Sequence, residues 1–329
     1  MSRPGLDTNP LELQPGWFND LFGEMGIDAE VRSLTAKSIG TGQIGENVRF
    51  VFDYAKAGAD APKTLVGKFP SANEVSVATA KLLGHYRREV MFYRTFPKVA
   101  GRITPSALYT DYDPETNRFA LIMEDMAPSE QGDQLKGCGL EEAMLAMEAA
   151  AVMHAAHWED PVLDEYDWLQ GSAKAPPPGL GPEAVAGLWG AFKDRYAAHL
   201  NADIIEVGDA YAASLPKWGD QYQGPYALTH SDYRLDNMLF GKPGAKKPLA
   251  VVDWQTAGKG APANDVAYFI GAGLTRDERP KHEQALLRHY HDCLKAEGIT
   301  SYSFDDLYTH YRWFAFYGIS VAFAAAMIV

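Results

Sequence analysis

Hydrophobic side chains in this 329-residue chain follow two different periods, one before Met126 and one after it. The first part alternates, as strands do. In "VRFVFDY", Val48, Phe50, Phe52 and Tyr54 would share one face. "VRSLTAKSI" before it and "TLVGKF" after it are also strand-like, and a short helix near Pro15 to Gly26 leads in. "SALYTDYD" and "RFALIMED" add two more strands on either side of the turn-like "PETN". Between these groups, "EVSVATAKLLGHYRREVMFYRTF" predicts a helical stretch ended by Pro97. Beyond Met126, helix-forming runs such as "LEEAMLAMEAAAVMHAAHW" and "PEAVAGLWGAFKDRYAAHL" dominate, with the break "KAPPPGLGP" between them. The expected class is α+β: a small β-rich lobe over 1–125 and a larger helical lobe over 126–329.

Charge narrows the partners. The net charge is −13, and Gly139 to Pro225 alone holds 14 acidic and 4 basic residues. A nucleic-acid binder needs a basic face to displace counterions, and an anionic membrane repels such a surface, so neither is expected as a partner. Cys138 and Cys293 are too few for a disulfide framework or a zinc cluster. Reduced thiols fit a cytoplasmic protein, and "MSRPGLDTNPLELQPGW" lacks the apolar core of a signal peptide. "WFAFYGISVAFAAAMIV", Trp313 to Val329, is uncharged but reaches only the lower limit of a membrane span. No basic flank follows it, so a buried helix is expected, and a chain ending on such a run invites continuation past Val329.

Three stretches carry chemistry. "SIGTGQIGENVRFVF" contains Gly40, Gly42 and Gly45 at the spacing GxGxxG. A dinucleotide site would require a helix after these glycines, whereas an alternating strand follows. Strand, glycine turn, strand is the nucleotide-covering hairpin of kinases, although a plain hairpin fits the same residues. Lys63 in "GADAPKT" stands where a Walker loop needs its second glycine, so that loop is excluded. Lys68 sits among apolar residues in "TLVGKF", where its amine needs a partner or has to reach a cleft. Glu89 in the following helix is a candidate partner, with Arg87 and Arg88 competing for it; an edge lysine pointing to solvent is the alternative.

The densest stretch is "LTHSDYRLDNMLF", residues 228 to 240. Strand "MLF", turn "GKPGAKKP" and strand "LAVVD" predict a hairpin whose antiparallel pairing brings Asn237 and Asp253 to one end. Their oxygens are hard ligands of the kind magnesium takes. Asp232 stands just upstream, suited to accept a proton from a substrate hydroxyl, and Arg234 can offset the charge of a transferred phosphoryl group. A polar turn without chemistry is the alternative. His154, His157 and Asp160 lack a convincing further ligand for zinc and are expected to pack within helices. His289 and His291 point to opposite sides of a helix, and no Gly-x-Ser-x-Gly elbow is present.

"HSDYRLDN" followed by "VVDW" resembles the aminoglycoside phosphotransferase and choline kinase group of the protein-kinase-like fold, most closely its ecdysteroid-kinase-like branch. The likeness runs from about Ser38 to Phe269, with the motifs in the family's order. It implies a bilobal kinase-like fold. It also implies Asp232 as catalytic base, Asn237 and Asp253 as magnesium ligands, and Lys68 with Glu89 as holders of the nucleotide. "LIMEDM" resembles the hinge, where the backbone of Glu124 and Met126 would bind adenine. Asp265 resembles the buried aspartate that braces the catalytic loop. Trp254 departs from the protein-kinase pattern, as does Ser231, which stands where those enzymes carry arginine. The expected activity is an ATP- and magnesium-dependent phosphotransferase acting on a hydroxyl of a small molecule; a protein kinase and an inactive nucleotide-binding module are the rivals. Whether the acidic segment receives a polycation, or its aromatic residues a bulky alcohol, stays open.

Overall fold

The computed structural model describes residue 6 and residues 9–40, 44–175, 181–218 and 221–328. Gly42, positions 176–180 of the proline-rich break, and Val329 lie outside the described residues. The elements run α1 (Pro15–Met25), β1 (Ala29–Ile39), β2 (Gly45–Ala57), β3 (Thr64–Pro70), α2 (Glu74–Leu83), α3 (His85–Thr95), α4 (Pro97–Ile103), β4 (Ala107–Asp113), β5 (Arg118–Glu124), β6 (Glu130–Gln131), α5 (Leu140–Ala156), α6 (Pro182–Tyr196), α7 (Ala202–Trp218), β7 (Ala227–Thr229), β8 (Met238–Phe240), β9 (Leu249–Val251), β10 (Gly258–Gly260), α8 (Pro262–Gly273), α9 (Arg279–Ala296), α10 (Phe304–Phe314) and α11 (Tyr317–Ile328). The class is α+β, as expected. The chain forms two compact units: Met1–Glu130 with Gly241–Thr256, and Gln131–Phe240 with Ala257–Val329. The change of period after residue 125 does not reveal that 241–256 belongs with the first unit, because that membership rests on contacts distant in sequence.

In the first unit all five predicted strands form one antiparallel sheet in the order β1-β2-β3-β5-β4. The alternation of β2 does what its period requires: Val48 and Phe50 are fully buried in a cluster with Phe18 and Phe22 of α1. Phe18 meets Phe50 at 4.9 Å and Phe52 at 4.8 Å. Asn19 of α1 holds the irregular stretch of β1, accepting the Val31 N–H at 2.7 Å and donating to the Val31 carbonyl at 3.3 Å. On β3, Leu65 and Phe69 join this core. Lys68, one position out of phase with them, turns to the opposite face.

The second unit is mostly helical. α5 packs on α8 and α9, α6 pairs with α7, and α11 packs on α6 and α8. Alanines at 143, 146, 149, 150 and 151 are buried along α5, and their small side chains let neighbouring elements approach closely. β7 and β10 form a two-stranded antiparallel sheet.

Two sequence expectations need correction. The helical stretch between residues 74 and 96 is two helices, because Gly84 takes φ 70° and serves both as the end of α2 and as the residue before α3. The apolar run at Trp313–Val329 is not one buried helix. It contributes the end of α10 and then α11, whose side chains are mostly half-exposed apart from the buried Phe323. No helix among the described residues is long and apolar enough to cross a membrane. Replacing Gly84 by alanine puts a Cβ into the left-handed region, which costs about 1–2 kcal/mol. Gly84→Ala should therefore lower unfolding stability by that order in urea titration, with Gly84→Asn less affected.

Candidate active site

Lys68 is 8% exposed and Glu89 1% exposed. The Lys68 ammonium donates to Glu89 Oε1 at 2.8 Å and to Asp253 Oδ1 at 2.7 Å. Burial works against the Lys68 charge, but Asp253 and Glu89 outweigh it and raise its pKa. Burial likewise pushes the Glu89 carboxyl up, against the pull of Lys68. The competing arginines do not displace this pair: Arg88 donates instead to the Gln255 carbonyl at 2.7 Å and the Leu83 carbonyl at 3.1 Å.

Asp253 follows β9 with φ 67°, a left-handed conformation uncommon outside glycine, though aspartate tolerates it better than most residues. α3 holds it there. Phe92 stacks on the buried Trp254 ring at 3.8 Å with 5° between planes, and Arg88 fixes Gln255. One helix thus carries the Lys68 partner and seats the second carboxylate. His85, in the first turn of α3, was not anticipated from sequence. Its Nδ1 is buried without a protein partner, and burial lowers its pKa to about 4.

The glycine turn joins β1 to β2, with Ile39 paired to Asn47. Gly40 takes φ 73°. A Cβ on Gly45 would lie 3.1 Å from the Phe69 carbonyl and 3.2 Å from Lys68 Cε, so this glycine gives the Lys68 stem its room. At the end of β5, the Glu124 N–H is committed to the Ser106 carbonyl at 2.9 Å. The Met126 carbonyl accepts from Ser129 N–H at 2.8 Å. Asp125 between them is buried in an ion pair with Arg49 at 2.7 Å.

In the second unit, Asp265 is fully buried and accepts the His230 N–H at 2.7 Å and the Ser231 N–H at 2.9 Å. His154 lies 3.3 Å from the same carboxylate and 2.8 Å from the Tyr290 hydroxyl. It is a brace for Asp265 rather than a packing residue alone, a role that a separation of 111 residues hides from the sequence. Asp232 Oδ2 accepts from Asn237 Nδ2 at 2.9 Å and from Arg234 Nε at 3.2 Å. Arg234 also donates to Asp236 at 2.8 Å. Burial opposes its charge, but Asp232 and the other negative groups raise its pKa.

No group of three or more His, Cys, Asp or Glu residues capable of holding a metal occurs among the described residues. Magnesium does not need one, since it takes one or two protein oxygens together with phosphates and waters. The Asn237 amide nitrogen donates to the backbone and side-chain oxygens of Asp232, each at 2.9 Å. On Asp253, Lys68 takes Oδ1.

The phosphotransferase enzyme family model (APH) matches residues 132–304. Among solved structures, choline kinase from Cryptosporidium parvum is similar with a TM-score of 0.56 and 10% identity, over 90% of this chain and 84% of that one. Ethanolamine kinase from Plasmodium vivax gives a TM-score of 0.52 and 11% identity, over 89% and 76%. These likenesses identify the fold as protein-kinase-like. Among curated proteins, acyl-CoA dehydrogenase family member 11 of Gallus gallus is 34% identical over 93 residues. The match takes in 27% of this chain and 11% of that protein, so it spans only a small part of that relative's length.

Asp265→Asn gives a test of the second unit. An amide offers one acceptor oxygen where the carboxylate offers two, so one backbone N–H would face an NH₂ group. The loss of a buried partner costs about 1–3 kcal/mol. Urea unfolding should show a fall of that order, and an unchanged midpoint would mean the two N–H bonds contribute nothing.

Proposed function

The chain belongs to the phosphotransferase enzyme family, and on that footing we propose that it transfers the γ-phosphate of ATP, with magnesium, to a hydroxyl of a small molecule. The observation that carries this reading is the Lys68 ammonium, buried and fixed by Glu89 and Asp253 at 2.8 and 2.7 Å. A point charge aimed this way suits the α and β phosphates of a nucleotide. The solved structures of similar fold carry the names choline kinase and ethanolamine kinase, both kinases of small molecules by name.

In this reading Gly40, Gly42 and Gly45 cover the phosphates, while the Glu124 carbonyl and Met126 N–H take the adenine edge. Asp253 and Asn237 would be the residues to hold magnesium, whose charge would offset that of the phosphate oxygens. Asp232 Oδ1 accepts the proton of the acceptor hydroxyl. The alcohol oxygen then bonds to the γ-phosphorus as the bond to the bridging oxygen breaks, leaving ADP. Arg234 offsets the charge on the transferring group. The protein contributes positioning and charge rather than covalent chemistry.

A protein kinase fits less well. Only 11 residues separate Asp253 from Asp265. Within them β10 pairs with β7, Lys259 N–H donates to the Gln170 carbonyl at 2.7 Å, and the Lys259 ammonium binds Asp164 at 2.7 Å. A segment tied down in this way has little freedom to order on phosphorylation. Ser231 also lacks the positive charge that would dock a phosphate.

Asp232→Asn should lower turnover by about 10²–10⁴-fold while ATP binding measured by calorimetry stays near wild type. Loss of ATP binding in a folded variant would contradict the assignment. Asp253→Ala should behave differently, because magnesium would no longer strengthen ATP binding. An equal magnesium enhancement in wild type and variant would remove Asp253 from the metal site.

A further inference from the structure

The peptide group between Ser231 and Asp232 is held at both ends. Its carbonyl accepts a hydrogen bond from the Tyr317 hydroxyl at 3.0 Å. Its N–H, on Asp232, donates to His230 Nδ1 at 3.3 Å. Ser231 itself takes φ 64°, a left-handed conformation that serine adopts only when its surroundings impose it. Asp265 imposes part of it by binding the Ser231 N–H, and the Ser231 hydroxyl lies 3.2 Å from that of Thr229.

Tyr317 comes from α11, within the apolar run whose role the phosphotransferase reading does not otherwise use. The helix is seated by contacts of its own. The Ser320 hydroxyl lies 2.8 Å from that of Tyr211, and Phe323 packs 5.9 Å from Trp189. Tyr317 stands edge-on to Tyr268 of α8 at 5.6 Å. Burial, then the charges of Asp232 and Asp265, raise its phenol pKa, which keeps the hydroxyl protonated as a donor.

We infer that Tyr317 is a positioning residue for phosphoryl transfer: it clamps the Ser231–Asp232 peptide in the left-handed conformation and so aims the Asp232 carboxylate at the acceptor hydroxyl. The inference rests on Asp232 being the base. Tyr317 touches no reacting atom. Its hydroxyl acts through the direction in which the Asp232 side chain leaves the backbone, and small errors in such a direction are costly to rate.

The test uses the full chain, with magnesium-ATP as the probe and water as acceptor, together with hydrogen exchange read by mass spectrometry. In Tyr317→Phe, kcat for ATP hydrolysis should fall about tenfold with KM for magnesium-ATP unchanged. Deuterium uptake over residues 228–237 should rise while α5 keeps its protection. Ser231→Gly supplies the control, because glycine reaches φ 64° without strain. In that background the further change Tyr317→Phe should cost less turnover than it does in wild type. Equal losses in both backgrounds, a rise in KM in place of the fall in kcat, or unchanged uptake over 228–237 would overturn the role. A wild-type protein that hydrolyses no ATP would count against the proposed function, while the exchange comparison would still decide whether Tyr317 clamps the loop.

Discussion

A buried ammonium must be met by negative charge, and the first unit is organised around meeting that of Lys68. An unpaired ion in such a place costs several kcal/mol. Period-two alternation on β3 makes the placement unavoidable: Leu65 and Phe69 enter the α1-side core, which sends Lys68 to the other face. α3 then answers twice, through Glu89 directly and through Phe92 and Arg88, which seat the turn bearing Asp253. Gly84 sets where that helix begins, and Gly45 leaves space for the lysine stem.

The second unit applies the same logic with the sign reversed. Asp265 is a carboxylate with no access to water, and it is met by two backbone N–H groups and His154. In both units a residue proposed for chemistry is, or adjoins, a non-glycine residue at positive φ: Asp253 in one, and Ser231 beside Asp232 in the other. Each such conformation costs about 1–3 kcal/mol and persists only where neighbouring contacts over-determine it. The contacts are the stacked Trp254 and bound Gln255 in the first case, and Asp265 with Tyr317 in the second.

Much of this was legible in the sequence because it is local. Strand alternation, the glycine turn and the polar stretch at 228–240 all lie within short windows, and the strands form where the pattern put them. The pairing of Lys68 with Glu89 was one of several open choices, since Arg87 and Arg88 stood equally near Glu89 along the helix. The helix break at Gly84 was missed because a lone glycine within a helical pattern is tolerated more often than it ends a helix. The use of His154 as a brace and of Tyr317 as a donor could not be read at all. Their partners lie 111 and 86 residues away, and neither residue carries a local motif. The C-terminal run was misjudged for a related reason: apolar composition alone does not say which faces of a helix find partners.

The most direct measurement follows the fate of the γ-phosphate. Purified protein, shown unphosphorylated by intact mass, is incubated with radiolabelled ATP and magnesium in a cell extract separated into a small-molecule fraction and a protein fraction. A small-molecule phosphotransferase moves label into an organic phosphate ester in the first fraction, and removing magnesium abolishes the transfer. Label that goes instead to proteins, or transfer that begins only after treatment with another kinase, would contradict that function.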